Sequence, residues 1–189
     1  LYRNVQDRDS FTSKGDVINI RQILNNKKPY TEKFIGGDIM NVFLWYTDYH
    51  WFHAPVSGKI VDISEYSGVY NYNFEKENWF STTAKHKRTA IIYKTKHLGY
   101  VAMIPIGFWE VASIVLTVKK GDRVKKGDRV GHFGYGGSAI ILLFEKGRFQ
   151  SNFPYTGPME PTQAAPDPVP SMSKWKKIKI NEKIGMATR

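Results

Sequence analysis

Cysteine is absent from this chain of 189 residues, so neither a disulfide nor a thiolate metal site is available to it, and the redox compartment is left open. No apolar run reaches the ~18 residues that a membrane-spanning helix needs. Nor does the chain start with the charged-then-apolar pattern of a signal peptide. It therefore reads as soluble or peripheral, with its compartment unknown. Acidic residues are few beside basic ones, 17 against 28, giving a formal net charge of +11. That excess points to an anionic partner: a phospholipid surface, nucleic acid or an acidic protein. The length suits one domain with a sizeable core. Leu1 stands where an initiating methionine is expected, which suggests that an N-terminal segment is missing.

What is present is β-rich. Val17 to Leu24 reads as a short strand running into a helical turn, Ile39 to Trp45 as a buried strand, and Val56 to Ile63 as another after the break at Pro55. Thr89 to Thr95, Tyr100 to Ile106 and Ser113 to Val118 are β-branched and aromatic runs that suggest a meander packed on the core. Glu65 to Lys87, rich in Tyr, Asn and charge, reads as a long loop or hairpin excursion, and Pro154 to Pro170 as an extended insertion or a lid. The expected fold is mainly β: a single antiparallel β domain over 1–189 with few short helices.

Lys119-Lys120-Gly121-Asp122-Arg123-Val124 is repeated at once as Lys125-Lys126-Gly127-Asp128-Arg129-Val130. Each copy reads as a turn in which Gly takes positive φ and Asp caps the next strand. Ile178 to Gly185 is a weaker echo, so two such arms could pair around a small sandwich. The pattern resembles the Gly-Asp turns of biotinyl/lipoyl barrel-sandwich domains and of lysostaphin-type zinc peptidases. Lys174-Trp175-Lys176-Lys177-Ile178-Lys179 mixes basic residues with an aromatic. It suits a lipid headgroup, a nucleic-acid base, or an edge strand guarded by lysines.

The most informative residue is Ser138, placed after Gly136 and Gly137 and before the apolar run Ala139 to Phe144. Glycines let the backbone adopt conformations that bring the Gly137 carbonyl to the neighbouring hydroxyl. A serine held so can shift its acyl group from nitrogen to oxygen, and β-elimination then cuts the chain. Alone, Gly-Gly-Ser is equally an ordinary turn. Upstream, His50 and His53 are three residues apart, so on an ideal strand they face opposite sides and on a helical turn they share one. To serve one site, the segment must leave extended geometry after Tyr49; otherwise one histidine caps the turn and the other packs in the core.

Asp48-Tyr49-His50-Trp51-Phe52-His53-Ala54-Pro55-Val56-Ser57-Gly58, Ile104-Pro105-Ile106-Gly107, Lys126-Gly127-Asp128-Arg129-Val130-Gly131 and Gly137-Ser138 occur in order. Together they resemble the phosphatidylserine decarboxylase family of pyruvoyl enzymes, from about Lys14-Gly15 to Ile184-Gly185. The chain departs from it in carrying Ala139 after the serine and in keeping only Arg88 of the usual Asn-Glu-Arg segment. It also lacks the Pro-Ala-Asp-Gly stretch that holds the self-cleavage aspartate; Asp7 and Asp9 fall nearby but outside that motif.

The resemblance implies cleavage between Gly137 and Ser138, a pyruvoyl group derived from Ser138 as cofactor, and decarboxylation through a Schiff base. By the same resemblance His53 is the base in cleavage and His50 returns a proton in turnover. Arg88 and Gly136 are supporting residues, Arg88 binding the substrate carboxylate or serving the frame. The substrate implied is phosphatidylserine, with an anionic membrane surface as partner and no specific nucleic acid; a homo-oligomer is left open. Thr89 to Ile92 is similar to a branch acting on free amino acids such as tryptophan, for which Trp51, Phe52, Tyr70, Tyr72 and Trp79 would line an aromatic pocket or fill the core. The rival readings are a lysostaphin-type zinc hydrolase, which lacks a His-x-His pair near Leu142 to Glu145, and a non-catalytic barrel-sandwich binding module. No metal ligands are expected.

Overall fold

The computed structural model describes residues 1–7, 9, 11–13, 16–45, 47–68, 86–107, 113–134, 138–154 and 176–188. Strands β1 (Tyr2–Val5), β2 (Phe11–Ser13) and β3 (Asp16–Ile18) lead into two short helices, α1 (Ile20–Ile23) and α2 (Tyr30–Phe34). There follow β4 (Gly37–Leu44), β5 (Trp51–His53), β6 (Gly58–Tyr66), β7 (Arg88–Lys94), β8 (Tyr100–Gly107) and β9 (Ile114–Leu116). The chain continues through β10 (Arg123–Val124), β11 (Arg129–Phe133), β12 (Ser138–Phe144), β13 (Phe149–Ser151) and β14 (Gly185–Ala187).

The frame is a seven-stranded antiparallel sheet in the order β1-β4-β12-β8-β7-β6-β10, and a second sheet has the order β5-β11-β9. Side chains alternate across a strand, so β8 and β12, apolar at nearly every position, bury both faces. Ala102, Ile104 and Ile106 of β8 and Ala139, Ile141 and Leu143 of β12 pack with Ile20, Ile23 and Phe34 of the helices. Val101 and Met103, with Leu142 and Phe144, pack instead with Phe52, Val130 and Phe133 of the three-stranded sheet. The result is three layers, helices on one face of the large sheet and the small sheet on the other.

The mainly antiparallel β expectation is met, with differences of detail. β6, β7 and β8 form a meander, but β9 leaves it to pair with β11, so the third apolar run builds the second sheet. Strand β6 runs on to Tyr66, which pairs with Arg88 at the start of β7, so the polar segment between them is carried at the end of a hairpin. Its residues 69–85, with Tyr70, Tyr72 and Trp79, lie outside the described residues, as do 155–175 of the proline-rich stretch. Residues 176–179 are irregular, not an edge strand. Helix α1 is started by a capping box in which the Asn19 side chain accepts from Gln22 N–H and the Gln22 side chain accepts from Asn19 N–H, each at 2.9 Å. Helix α2, a single turn with Thr31 and Phe34 buried, has too short an apolar pattern to be read from sequence.

Asp62 of β6 is buried and joined by Lys27, by the Ser64 hydroxyl at 2.8 Å and by Lys120 at 3.5 Å. Burial pushes its carboxyl up, but the Lys27, Ser64 and Lys120 donors outweigh that and hold it below the usual carboxylate range. Because its folded value is depressed, the stability Asp62 adds is present above the unfolded value and is lost as pH falls through the folded one. Asp62→Asn is therefore expected to cost about 1 kcal/mol near neutral pH and to flatten the acid limb of stability against pH, as read by urea melts. An unchanged acid limb would remove Asp62 from this role.

Candidate active site

Ser138 opens β12, paired on one side with Leu44 of β4 and on the other with Gly107 of β8. Its parity along the strand is that of Ile140, Leu142 and Phe144, so its side chain turns into the layer between the two sheets. It is 1% exposed, and its Oγ has no hydrogen-bond partner among the described residues. Gly136 and Gly137 lie outside the described residues.

Residues 51–53 are extended as β5, with Phe52 buried and Trp51 and His53 half-buried. Phe52 is buried against Phe133, with ring centroids 5.2 Å apart, and the His50 ring meets the same Phe133 edge-on at 6.2 Å. The main chain fixes that contact, since Phe133 N–H donates to the His50 carbonyl at 3.0 Å. His50 thus adjoins the end of β11, five residues before Ser138. His50 Nδ1–H donates to the Asp48 carbonyl at 2.6 Å, so a proton exchanged with a substrate passes through Nε2.

His53 lies on the other face, opposite Arg129 at the far end of the β5–β11 pair. Its Nδ1–H donates to the Gly127 carbonyl at 2.6 Å, and its Nε2 accepts from the Tyr49 hydroxyl at 3.1 Å. A carbonyl can only accept, which fixes the proton on Nδ1 and the lone pair on Nε2. The ring is held by a backbone oxygen of the second Lys-Gly-Asp turn. Asp7 is instead paired with Arg21, and Asp9 accepts from Gln6 N–H at 2.7 Å. Trp51 stacks on His132 at 4.4 Å with the Arg129 guanidinium 5.0 Å from its ring. Phe52 and Trp51 are thus engaged within the fold. His50 packs on Phe133, which lines the layer that receives Ser138, His53 is held by the second turn, and neither histidine is bonded to the Ser138 hydroxyl.

Arg88 is buried on β7, where Nε donates to the Ile23 carbonyl at 2.8 Å, Nη2 to Gln22 at 2.9 Å and Nη1 to His86 at 3.2 Å. It donates to two carbonyls of the last turn of α1, and its guanidinium lies 4.8 Å from the Tyr66 ring. Arg88→Ala is expected to lower stability by about 3 kcal/mol, because buried carbonyls lose charged donors. Urea unfolding of the full-length protein, beside the rate per folded molecule, checks this. A normal midpoint with a lost rate would move Arg88 from the frame to the substrate.

The expected turns are present, with one correction: Asp122 and Asp128 do not cap the following strands but close their own turns, accepting from Lys119 N–H at 2.9 Å and Lys125 N–H at 2.7 Å. Gly121 and Gly127 have φ of +101° and +93°, which only glycine adopts without strain.

A model of the phosphatidylserine decarboxylase family matches residues 1–185. The chain belongs to that family. It is 37% identical over 150 residues to the phosphatidylserine decarboxylase proenzyme of Fusobacterium nucleatum, covering 78% of this chain and 49% of that protein. The L-tryptophan decarboxylase of Psilocybe cubensis is 32% identical over 162 residues, 76% of this chain and 37% of the relative. The phosphatidylserine decarboxylase proenzyme of Clostridium novyi is 34% identical over 148 residues, 77% of this chain and 50% of the relative. The chain therefore spans half or less of the length of these family members. The zinc-hydrolase alternative finds no support: among the described residues no three His, Cys, Asp or Glu side chains are grouped to hold a metal ion. Among the same residues no helix is long and apolar enough to cross a membrane.

Proposed function

We propose that this chain is the catalytic core of a self-processing decarboxylase that removes the carboxylate of the phosphatidylserine headgroup, using a pyruvoyl group made from Ser138. The observation that carries the proposal is the Ser138 hydroxyl, buried and without a partner among the described residues at the head of β12. Leaving a buried hydroxyl unpaired costs about 1–3 kcal/mol, and a site that keeps one has a use for it. Main-chain pairing on both sides holds residue 138 in the inter-sheet layer, which suits a carbonyl formed at the same carbon atoms. A pyruvoyl group supplies a ketone conjugated to a second carbonyl, which accepts an amine and takes up the electron pair of the bond to carbon dioxide.

In maturation Ser138 Oγ attacks the Gly137 carbonyl carbon and gives its proton to a base, and the Gly137 acyl group moves from nitrogen to oxygen. Loss of the Ser138 α-proton breaks the Cβ–Oγ bond and frees the Gly137 carboxylate. Water then replaces the nitrogen, which leaves as ammonia. His53 is assigned as the base, acting through Nε2, the nitrogen left unprotonated by the bond to Gly127. His50 is assigned to protonate the substrate Cα through Nε2, from its place beside Phe133.

A second reading, decarboxylation of a free aromatic amino acid, is supported by the L-tryptophan decarboxylase among the relatives. The test is carbon dioxide release by the full-length protein from phosphatidylserine in detergent micelles and from tryptophan, with and without prior treatment by hydroxylamine. Release from phosphatidylserine, abolished by hydroxylamine, is expected. Release from tryptophan alone would establish the second reading, and release insensitive to hydroxylamine would overturn the pyruvoyl chemistry.

A further inference from the structure

The third, weaker copy of the Lys-x-Gly-Asp pattern has the same geometry as the first two. Lys179 N–H donates to the Glu182 carboxylate at 2.8 Å and Glu182 N–H to the Lys179 carbonyl at 3.1 Å. Asn181, at φ +65°, takes the glycine position. The turns lie side by side. Gly127 N–H of the second bonds the Ala54 carbonyl at 2.9 Å, and Gly121 N–H of the first bonds Ile60 at 2.8 Å, so both grip the 54–60 segment. A side chain added at Gly127 would meet Asn181 Oδ1 of the third turn at 3.5 Å.

Residues 119–130 and 176–183 hold ten Lys and Arg against three Asp and Glu, a net of seven of the protein's eleven positive charges. All ten basic residues are exposed, while each carboxylate is tied to the main-chain N–H of its own turn. Eight of the ten are lysines, point charges suited to a diffuse anionic surface, whereas arginine is the residue of paired phosphate recognition. At the apex of the third turn, where the others carry Lys120 and Lys126, stands Ile180, 54% exposed. An apolar apex ringed by lysines gains from burial at a headgroup–acyl boundary and gains nothing from a phosphate backbone.

We propose that the three turns form a docking surface for an anionic phospholipid bilayer. This rests on the phosphatidylserine reading and deepens it, because the second turn also carries the Gly127 carbonyl that holds His53. The surface lies at the Arg129 end of β11, the end that holds His53, and Ser138 lies beyond the Phe133 end of that strand.

The test is co-sedimentation of the full-length protein with phosphatidylglycerol–phosphatidylcholine vesicles and with phosphatidylcholine vesicles alone. Beside it runs decarboxylation of a water-soluble short-chain phosphatidylserine. Binding is expected only to the anionic vesicles and is expected to weaken with salt. Combining Lys177→Gln, Lys179→Gln, Lys183→Gln and Ile180→Ser should reduce vesicle binding about a hundredfold, while the soluble substrate turns over at the original rate. Arginine at the three lysine positions, with Ile180 kept, should preserve binding. Unchanged vesicle binding by the glutamine variant would overturn the docking surface. So would duplex DNA that competes with the vesicles and loses affinity to the same variant. Normal vesicle behaviour without decarboxylation by any form would support the surface and instead remove the enzymatic reading.

Discussion

Ser138→Ala in the full-length protein should abolish both chain cleavage and decarboxylation, a loss of at least about a millionfold relative to an ordinary enzymatic acceleration. Without Oγ there is no atom to receive the Gly137 acyl group and no leaving group for elimination. The substitution is mild for the frame. Ala139 beside it is already fully buried, and the hydroxyl removed leaves no partner unpaired among the described residues. Deleting an unpaired buried hydroxyl is neutral or stabilising, so the urea midpoint should not fall. Activity lost with stability intact locates the defect in the chemistry. A Ser138→Ala protein that still releases carbon dioxide would remove the pyruvoyl account entirely.

Next in size is the division between the two histidines. His53→Ala should slow cleavage about a hundred- to ten-thousandfold, the effect of losing a positioned base. His50→Ala should leave cleavage intact and reduce turnover by a similar factor. Cleavage is read by gel after timed synthesis, and turnover by carbon dioxide release per cleaved molecule. The opposite pattern, with His50 required for cleavage, would exchange the two assignments. Tyr49→Phe separates the cases further, since it removes the hydroxyl that engages His53 Nε2.

The large sheet was legible because its strands are long and apolar on both faces. Tyr100 to Gly107 and Ser138 to Phe144 cannot be solvated on either side, and the runs alone place them centrally. Strand β5 was not legible in the same way, being only three residues long. What holds the segment extended is pairing with β11, roughly 80 residues later, which no local pattern announces. The partner of His53 escaped for a related reason: it is a main-chain carbonyl 74 residues away, and sequence patterns advertise side chains. The doubled Lys-Gly-Asp motif was the available signal, read as a turn but not as a support for the histidine. Arg88 was recognisable as a family residue, yet its destination, the open end of α1, follows only from a helix of four residues packed across the sheet.

The central claim is that Ser138 consumes itself to make the reactive carbonyl, and intact mass analysis of the purified full-length protein tests it most directly. The account predicts two fragments, the larger ending at Gly137 and the smaller blocked at its N-terminus by a pyruvoyl group. Their summed mass should exceed that of the precursor by one water less one ammonia. A single uncut chain that decarboxylates its substrate, or a smaller fragment beginning with an unmodified serine, would contradict it.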